Sequence, residues 1–234
     1  MSRNDVLAAP GQLTRRGFVA LLPLGLAACA SNPLSDVRAF IDPEGANYDE
    51  VYGAKPDEKF PLPAINWRML HPAVLRRNIS DPTGEAPGTI VVDPEARLLY
   101  LVLPNGRAMR YGVGVGKQGM EWNGRATIKR KGVWPTWTPT SDMISRDPEL
   151  NSRWAGGMPG GLDNPLGARA LYLYQGGRDT MYRIHGTNAP RSIGRAMSSG
   201  CVRMLNQDII DLYERVPTGT QVVVLPASRT LGVS

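Results

Sequence analysis

The chain has 234 residues, 27 basic and 21 acidic side chains and a formal charge of +6. That length suits one domain with a substantial core. The basic residues are spread out with few interleaved aromatics, which argues against a nucleic-acid partner. Neither a metal nor a cofactor is expected.

The N-terminus reads as an export segment. Thr14-Arg15-Arg16-Gly17-Phe18-Val19 leads into an uncharged run from Phe18 to Ala28, and then Cys29. A basic start, an apolar stretch of about ten residues and small residues at its end make a secretory signal. The run is too short to span a bilayer, which takes about twenty residues. The paired arginines resemble the twin-arginine export signal. Leu26-Ala27-Ala28-Cys29 resembles the lipobox at which bacterial lipoproteins are cleaved and acylated. Residues 1–28 are therefore read as the signal and Cys29 as the lipidation site, which puts the mature protein in the periplasm on a lipid anchor. Ala30 after the cysteine favours the outer membrane, by resemblance to lipoprotein sorting. Cleavage after Ala30, giving a soluble periplasmic protein, is the rival.

Residues 29–87 are interrupted by Pro43, Pro56, Pro61, Pro63, Pro72, Pro82 and Pro87 and show no sustained period. They are expected to form an extended lead-in that either spans from the anchor or wraps the domain. A short helical turn is expected within Ile65 to Leu75, with Trp67, Met69 and Leu70 docking on the domain. His71 precedes a proline and has no acidic or thiol neighbour, so it reads as structural.

A β domain is expected over residues 88–226, with a tail at 227–234. Thr89 to Asp93, Arg97 to Leu103 and Ala108 to Val115 read as strands joined by tight turns. Gly112, Gly114 and Gly116 are spaced like a phosphate loop. No Gly-Lys-Ser/Thr follows and no helix opens, so close strand packing is the better reading. Glu121 to Gly161 is loop-rich, with Trp122, Trp134, Trp137 and Trp154 forming a cover or a cleft wall. Ala168 to Tyr174 and Met181 to His185 read as strands, Asn206 to Val216 as a helix with Asn206 at its N-cap, and Gln221 to Leu225 as a last strand. The expected fold is mainly β, an antiparallel sandwich or barrel-like domain with one main helix after Cys201.

The chemistry concentrates in Ile184 to Met204. His185 is one of two histidines and Cys201 one of two cysteines. If Cys29 is lipidated or removed, Cys201 is a single free thiol in an oxidising compartment. Thiolate chemistry needs a base or cation to lower the cysteine pKa, and donors for an oxyanion. His185, the nearby arginines and the backbone beside Gly200 can supply these.

Ile184-His185-Gly186-Thr187-Asn188, Ser192-Ile193-Gly194 and Ser198-Ser199-Gly200-Cys201-Val202-Arg203-Met204 together resemble the L,D-transpeptidase (YkuD-type) catalytic domain. The resemblance implies a cysteine enzyme of the bacterial cell wall acting on peptidoglycan stem peptides. Cys201 would be the nucleophile and His185 the base, with the Gly186 carbonyl orienting the ring and the Gly200 and Cys201 N–H groups holding the oxyanion. Arg203 suits a stem-peptide carboxylate, while Ser199 and Asn188 are further candidates for substrate contact. Arg191 and Arg195 read as solvated loop charges. One departure is plain: Ser199 stands where the family usually has histidine. The acceptor could be a stem peptide or an outer-membrane protein. The alternatives are a thiol hydrolase, an L,D-carboxypeptidase trimming stems with water, or a non-catalytic wall-binding lipoprotein.

Overall fold

The computed structural model describes residues 46–116, 122–197, 201–227 and 231. The export segment, Cys29, Ser199 and Gly200 lie outside them. Among the described residues eleven strands form one sheet. They are β1 (Arg77–Ser80), β2 (Ile90–Asp93), β3 (Leu98–Leu103), β4 (Arg107–Gly112), β5 (Gly114–Gly116), β6 (Gly124–Val133), β7 (Arg169–Gln175), β8 (Arg178–His185), β9 (Ala196–Met197), β10 (Val202–Arg203) and β11 (Gln221–Val224). Their spatial order is β1-β4-β3-β2-β11-β6-β7-β8-β10-β5-β9.

The first strands are apolar on both faces because both faces are buried. Leu99 and Leu101 of β3 join Ile90 and Val92 of β2 in the main core, while Leu98, Tyr100 and Val102 join Val91 and Ala108 on the reverse face. Asn105 and Gly106 make the β3–β4 turn with φ of 61° and 67°, the left-handed conformation that tight hairpins require. Three short helices occur early or mid-chain: α1 (Tyr48–Val51), α2 (Ser141–Arg146) and α3 (Pro148–Asn151). The longest described helix is α4 (Asn206–Arg215), which lays Ile209 and Leu212 on the main core.

The mainly β class and the helix after the cysteine are as the sequence implies. The pairing is mixed, however, not purely antiparallel: β2–β11, β8–β10 and β5–β9 are parallel. Strand β6 was hidden by its charges in a stretch read as loop. Only Ala126 and Ile128 are buried along it, and it carries a register shift between Ile128 and Arg130. Asn206 does not cap α4; Leu205 holds that place and no side chain caps the helix.

The lead-in wraps the domain from Ala46 onward. Tyr52 and Leu75 are each 1% exposed and pack with Val74, Ile193 and Leu205, flanked by Trp67 and Leu70. Met69 does not dock, being 66% exposed. Glu58 receives hydrogen bonds from Trp134 Nε1 and Arg169 Nη1, both at 2.9 Å, and β1 adds directly to the sheet beside β4. His71 accepts a hydrogen bond from the Ala73 N–H at 3.2 Å, capping a single 3-10 turn. Gly112 and Gly114 answer to close packing, since a Cβ on either would collide with Val74 or with the Ser192 carbonyl.

Candidate active site

Strands β8 and β10 run parallel, with Val202 beside Ile184 and Arg203 beside His185. Val202 and Ile184 are both buried in the main core. Because side chains alternate along a strand, their neighbours Arg183, His185 and Arg203 point to the opposite face. Cys201 precedes β10 by one residue, beside Arg183 if the register is carried back one step, and the charges of Arg183 and Arg203 reach its sulfur. The same rows continue across β7, where Ala170 pairs with His185 and Tyr172 with Arg183. The sheet thus gathers the two residues singled out from the motif and adds a second arginine.

His185 is 4% exposed. Its Nδ1 lies 2.7 Å from the Gly186 carbonyl oxygen. A carbonyl can only accept, so Nδ1 carries the hydrogen and Nε2 is left as the basic nitrogen. Burial pushes the His185 pKa down from 6.5 to about 4, against the backbone of Gly186 and Leu166 and with the charges of Arg203 and Arg183. Burial pushes the Cys201 thiol up, opposed by the Arg183 backbone N–H and by the charges of Arg183 and Arg203. Each group is driven toward its neutral form. At neutral pH both shifts favour a thiol and a neutral imidazole.

The ring's setting depends on a residue that served as a helix cap in the sequence reading. Asn206 Oδ1 accepts from the Ala168 N–H at 2.9 Å, and its Nδ2 donates to the Thr187 carbonyl at 2.9 Å. It bridges the strand entering β7 and the loop leaving His185. Gly186 and Gly167 make room for it, since a Cβ on either would fall on Asn206 Oδ1. Asn188 is exposed and donates to the Asp163 carbonyl at 2.8 Å, a contact that shapes the loop. Arg203 is partly buried, and that burial holds its pKa below the ordinary arginine value, with the neighbouring Cys201 sulfur acting the other way. Arg191 and Arg195 are exposed. Among the described residues no cluster of three or more His, Cys, Asp or Glu could hold a metal ion.

A sulfur nucleophile, a tautomer-fixed base and flanking cations can carry out acyl transfer. The known proteins that this chain is similar to include several named as L,D-transpeptidases. The family described as the L,D-transpeptidase catalytic domain matches residues 87–224. The probable L,D-transpeptidase YbiS of Escherichia coli K12 is 39% identical over 58% of this chain and 43% of its own length. The putative L,D-transpeptidase YkuD of Bacillus subtilis is 31% identical over 74% of this chain and 98% of its own. A solved structure from Brucella melitensis, described as a probable carnitine operon oxidoreductase, is 52% identical over 68% of this chain and 99% of its own, with a TM-score of 0.48. The chain spans less than half the length of the E. coli YbiS protein. The family match covers more than half of this chain, and the chain belongs to the L,D-transpeptidase catalytic domain family.

Proposed function

We propose that the protein is a peptidoglycan L,D-transpeptidase working through a Cys201 thioester. The observation that carries this reading is the β8–β10 register, which brings the strand following Cys201 alongside the end of β8 that bears His185, with the imidazole tautomer fixed by Gly186. His185 Nε2 takes the thiol proton as sulfur attacks the carbonyl between the diamino acid and the terminal D-alanine of a stem tetrapeptide. The C–N bond breaks, and the leaving amine receives that proton. An acceptor amine then gives a proton to His185 and attacks the thioester, and the C–S bond breaks to restore the thiol. The Gly200 and Cys201 N–H groups are assigned to the oxyanion, and Arg203 to a substrate carboxylate. The acceptor is a second stem peptide or an outer-membrane protein. The export signal and the Cys29 lipobox are read as holding the enzyme in the periplasm, at the outer membrane.

Incubating the mature protein with tetrapeptide muropeptides and weighing the products tests this directly. Cross-linked dimers with loss of D-alanine are expected. Tripeptide alone would mean that water is the acceptor and the hydrolase reading holds. No change of mass would leave a non-catalytic wall binder. A carbapenem is expected to add covalently to the wild type and not to Cys201→Ser, which keeps a hydroxyl but loses the thiol.

A further inference from the structure

Resting on the reading of Cys201 as nucleophile, we infer that Arg183 is a positioning residue, a cation locked beside the sulfur to hold it as thiolate when the proton leaves. Three observations bring this arginine to the site. First, the β8–β10 register, carried back one residue from Val202 beside Ile184, sets it next to Cys201, where its backbone N–H and its charge both favour the thiolate. Second, its guanidinium is fixed on every side. Nη1 and Nη2 make a two-pronged bond to Asp179 at 2.7 and 2.9 Å, and Nη1 also donates to the Tyr182 carbonyl at 2.9 Å. The guanidinium carbon stands 4.7 Å from the centroid of the Tyr172 ring, which Arg130 also covers at 3.5 Å.

Third, the strand is bent to make this possible. In a regular strand residues four apart are separated by about 13 Å, too far for a salt bridge. Here the β7–β8 register shifts between Tyr172 and Tyr174, and Met181 takes a φ of 63°. A non-glycine side chain in that region stores strain, and Met181 is 68% exposed, so core packing gives it no return. What the bend achieves is to fold Asp179 back onto Arg183.

The test is the pH profile of Cys201 alkylation by iodoacetamide, read by mass on the peptide that contains it. The apparent thiol pKa of Arg183→Met is expected to rise by about one unit, slowing alkylation at neutral pH roughly tenfold with the alkaline plateau unchanged. Arg183→Lys keeps a charge but not the fork, and is expected between Met and wild type. Asp179→Asn is the discriminating variant. It removes the carboxylate that offsets the guanidinium charge, while Tyr172 and the Tyr182 carbonyl still hold the arginine, so the thiol pKa is expected to fall. A wild-type profile in Arg183→Met would overturn the proposal, as would Arg183→Lys matching Met. An unmoved or raised pKa in Asp179→Asn would overturn it too, and that side chain is exposed enough for the variant to fold if Arg183→Met does not. Cys201→Ser separates the two ideas. Stem-peptide turnover persisting there refutes Cys201 as nucleophile, whereas its loss together with unmoved arginine profiles refutes only the role of Arg183.

Discussion

At the scale of single residues, burial drives both His185 and Cys201 toward their neutral forms. With the His185 pKa near 4, the base is already deprotonated across the neutral range. The acid limb of kcat/KM for acylation is therefore expected near pH 4 to 5, with no inflection around 6.5, the value of a solvated imidazole. An acid limb at 6.5 in a pH–rate series would mean that the ring is solvated in the working enzyme. His185→Ala should lose most of what Cys201→Ser loses, because in the proposed mechanism base and nucleophile act as a unit; His71→Ala should leave turnover near normal. Asn206 makes its contribution through the loop. Asn206→Ala leaves the Ala168 N–H and the Thr187 carbonyl without it, costing about 1–3 kcal/mol for each group left unsatisfied. Urea denaturation measures the cost, and kcat should fall with it as His185 loses its setting. The motif singles out His185 and Cys201 as candidates from the sequence alone. Asn206 was not legible in it, because a side chain that joins two distant backbone segments leaves no local spacing to read.

At the scale of elements, α4 carries a second buried charge system. Asp208 is fully buried, and burial pushes its carboxyl pKa up to about 7 against the opposing charge of Arg76. Its Oδ1 is 3.6 Å from Arg76 Nε, while Arg76 Nη1 sits 2.7 Å from Asp211. Arg215 and the Tyr111 hydroxyl also donate to Asp211. The folded pKa of Asp208 lies above its ordinary 3.8, so between these values the folded chain holds a proton that the unfolded chain has released. Stability from this group is full below about pH 4 and is lost as pH rises toward 7. Asp208→Asn mimics the protonated form. Its stability relative to wild type is expected to improve between pH 5 and 8, by on the order of 1–3 kcal/mol. Thermal melts at the two pH values check this; a relative stability that worsens with pH would mean that the carboxylate is charged and well paired. None of this was visible in the helical pattern, which shows Asp208 as one of several acids between apolar residues. Strand β6 was missed for a related reason. Lys131 interrupts its alternation, yet the side chain turns to the helix and donates to the Tyr213 and Val216 carbonyls at 2.6 and 2.7 Å. A lysine that packs its stem and satisfies its head on a helix end looks, in sequence, like a loop charge.

At the scale of the whole molecule, the boundary of the folded unit falls earlier than either the change of sequence texture at Gly88 or the family match beginning at residue 87. Proline-rich segments with no period read as tethers because periodicity is the signal for regular structure. A chain that wraps a domain instead buries isolated side chains at irregular intervals. Tyr52, Leu62, Val74 and Leu75 do this here, each at most 6% exposed. Tyr52 also accepts the Arg76 N–H at 2.8 Å and donates to Asp208, so the wrap is keyed to the same helix that follows Cys201. Leu75→Ala therefore belongs with core truncations and is expected to cost about 2–5 kcal/mol. Met69→Ala, six residues earlier and exposed, should stay within about 0.5 kcal/mol of wild type. Urea melts of both variants in the full chain decide between a wrap and a tether. A tether predicts two near-neutral changes. A wrap predicts that Leu75→Ala alone lowers the midpoint, and that a chain starting at residue 88 unfolds far more easily than one starting at Ala46, having lost β1 and the apolar cover over Ile193 and Leu205.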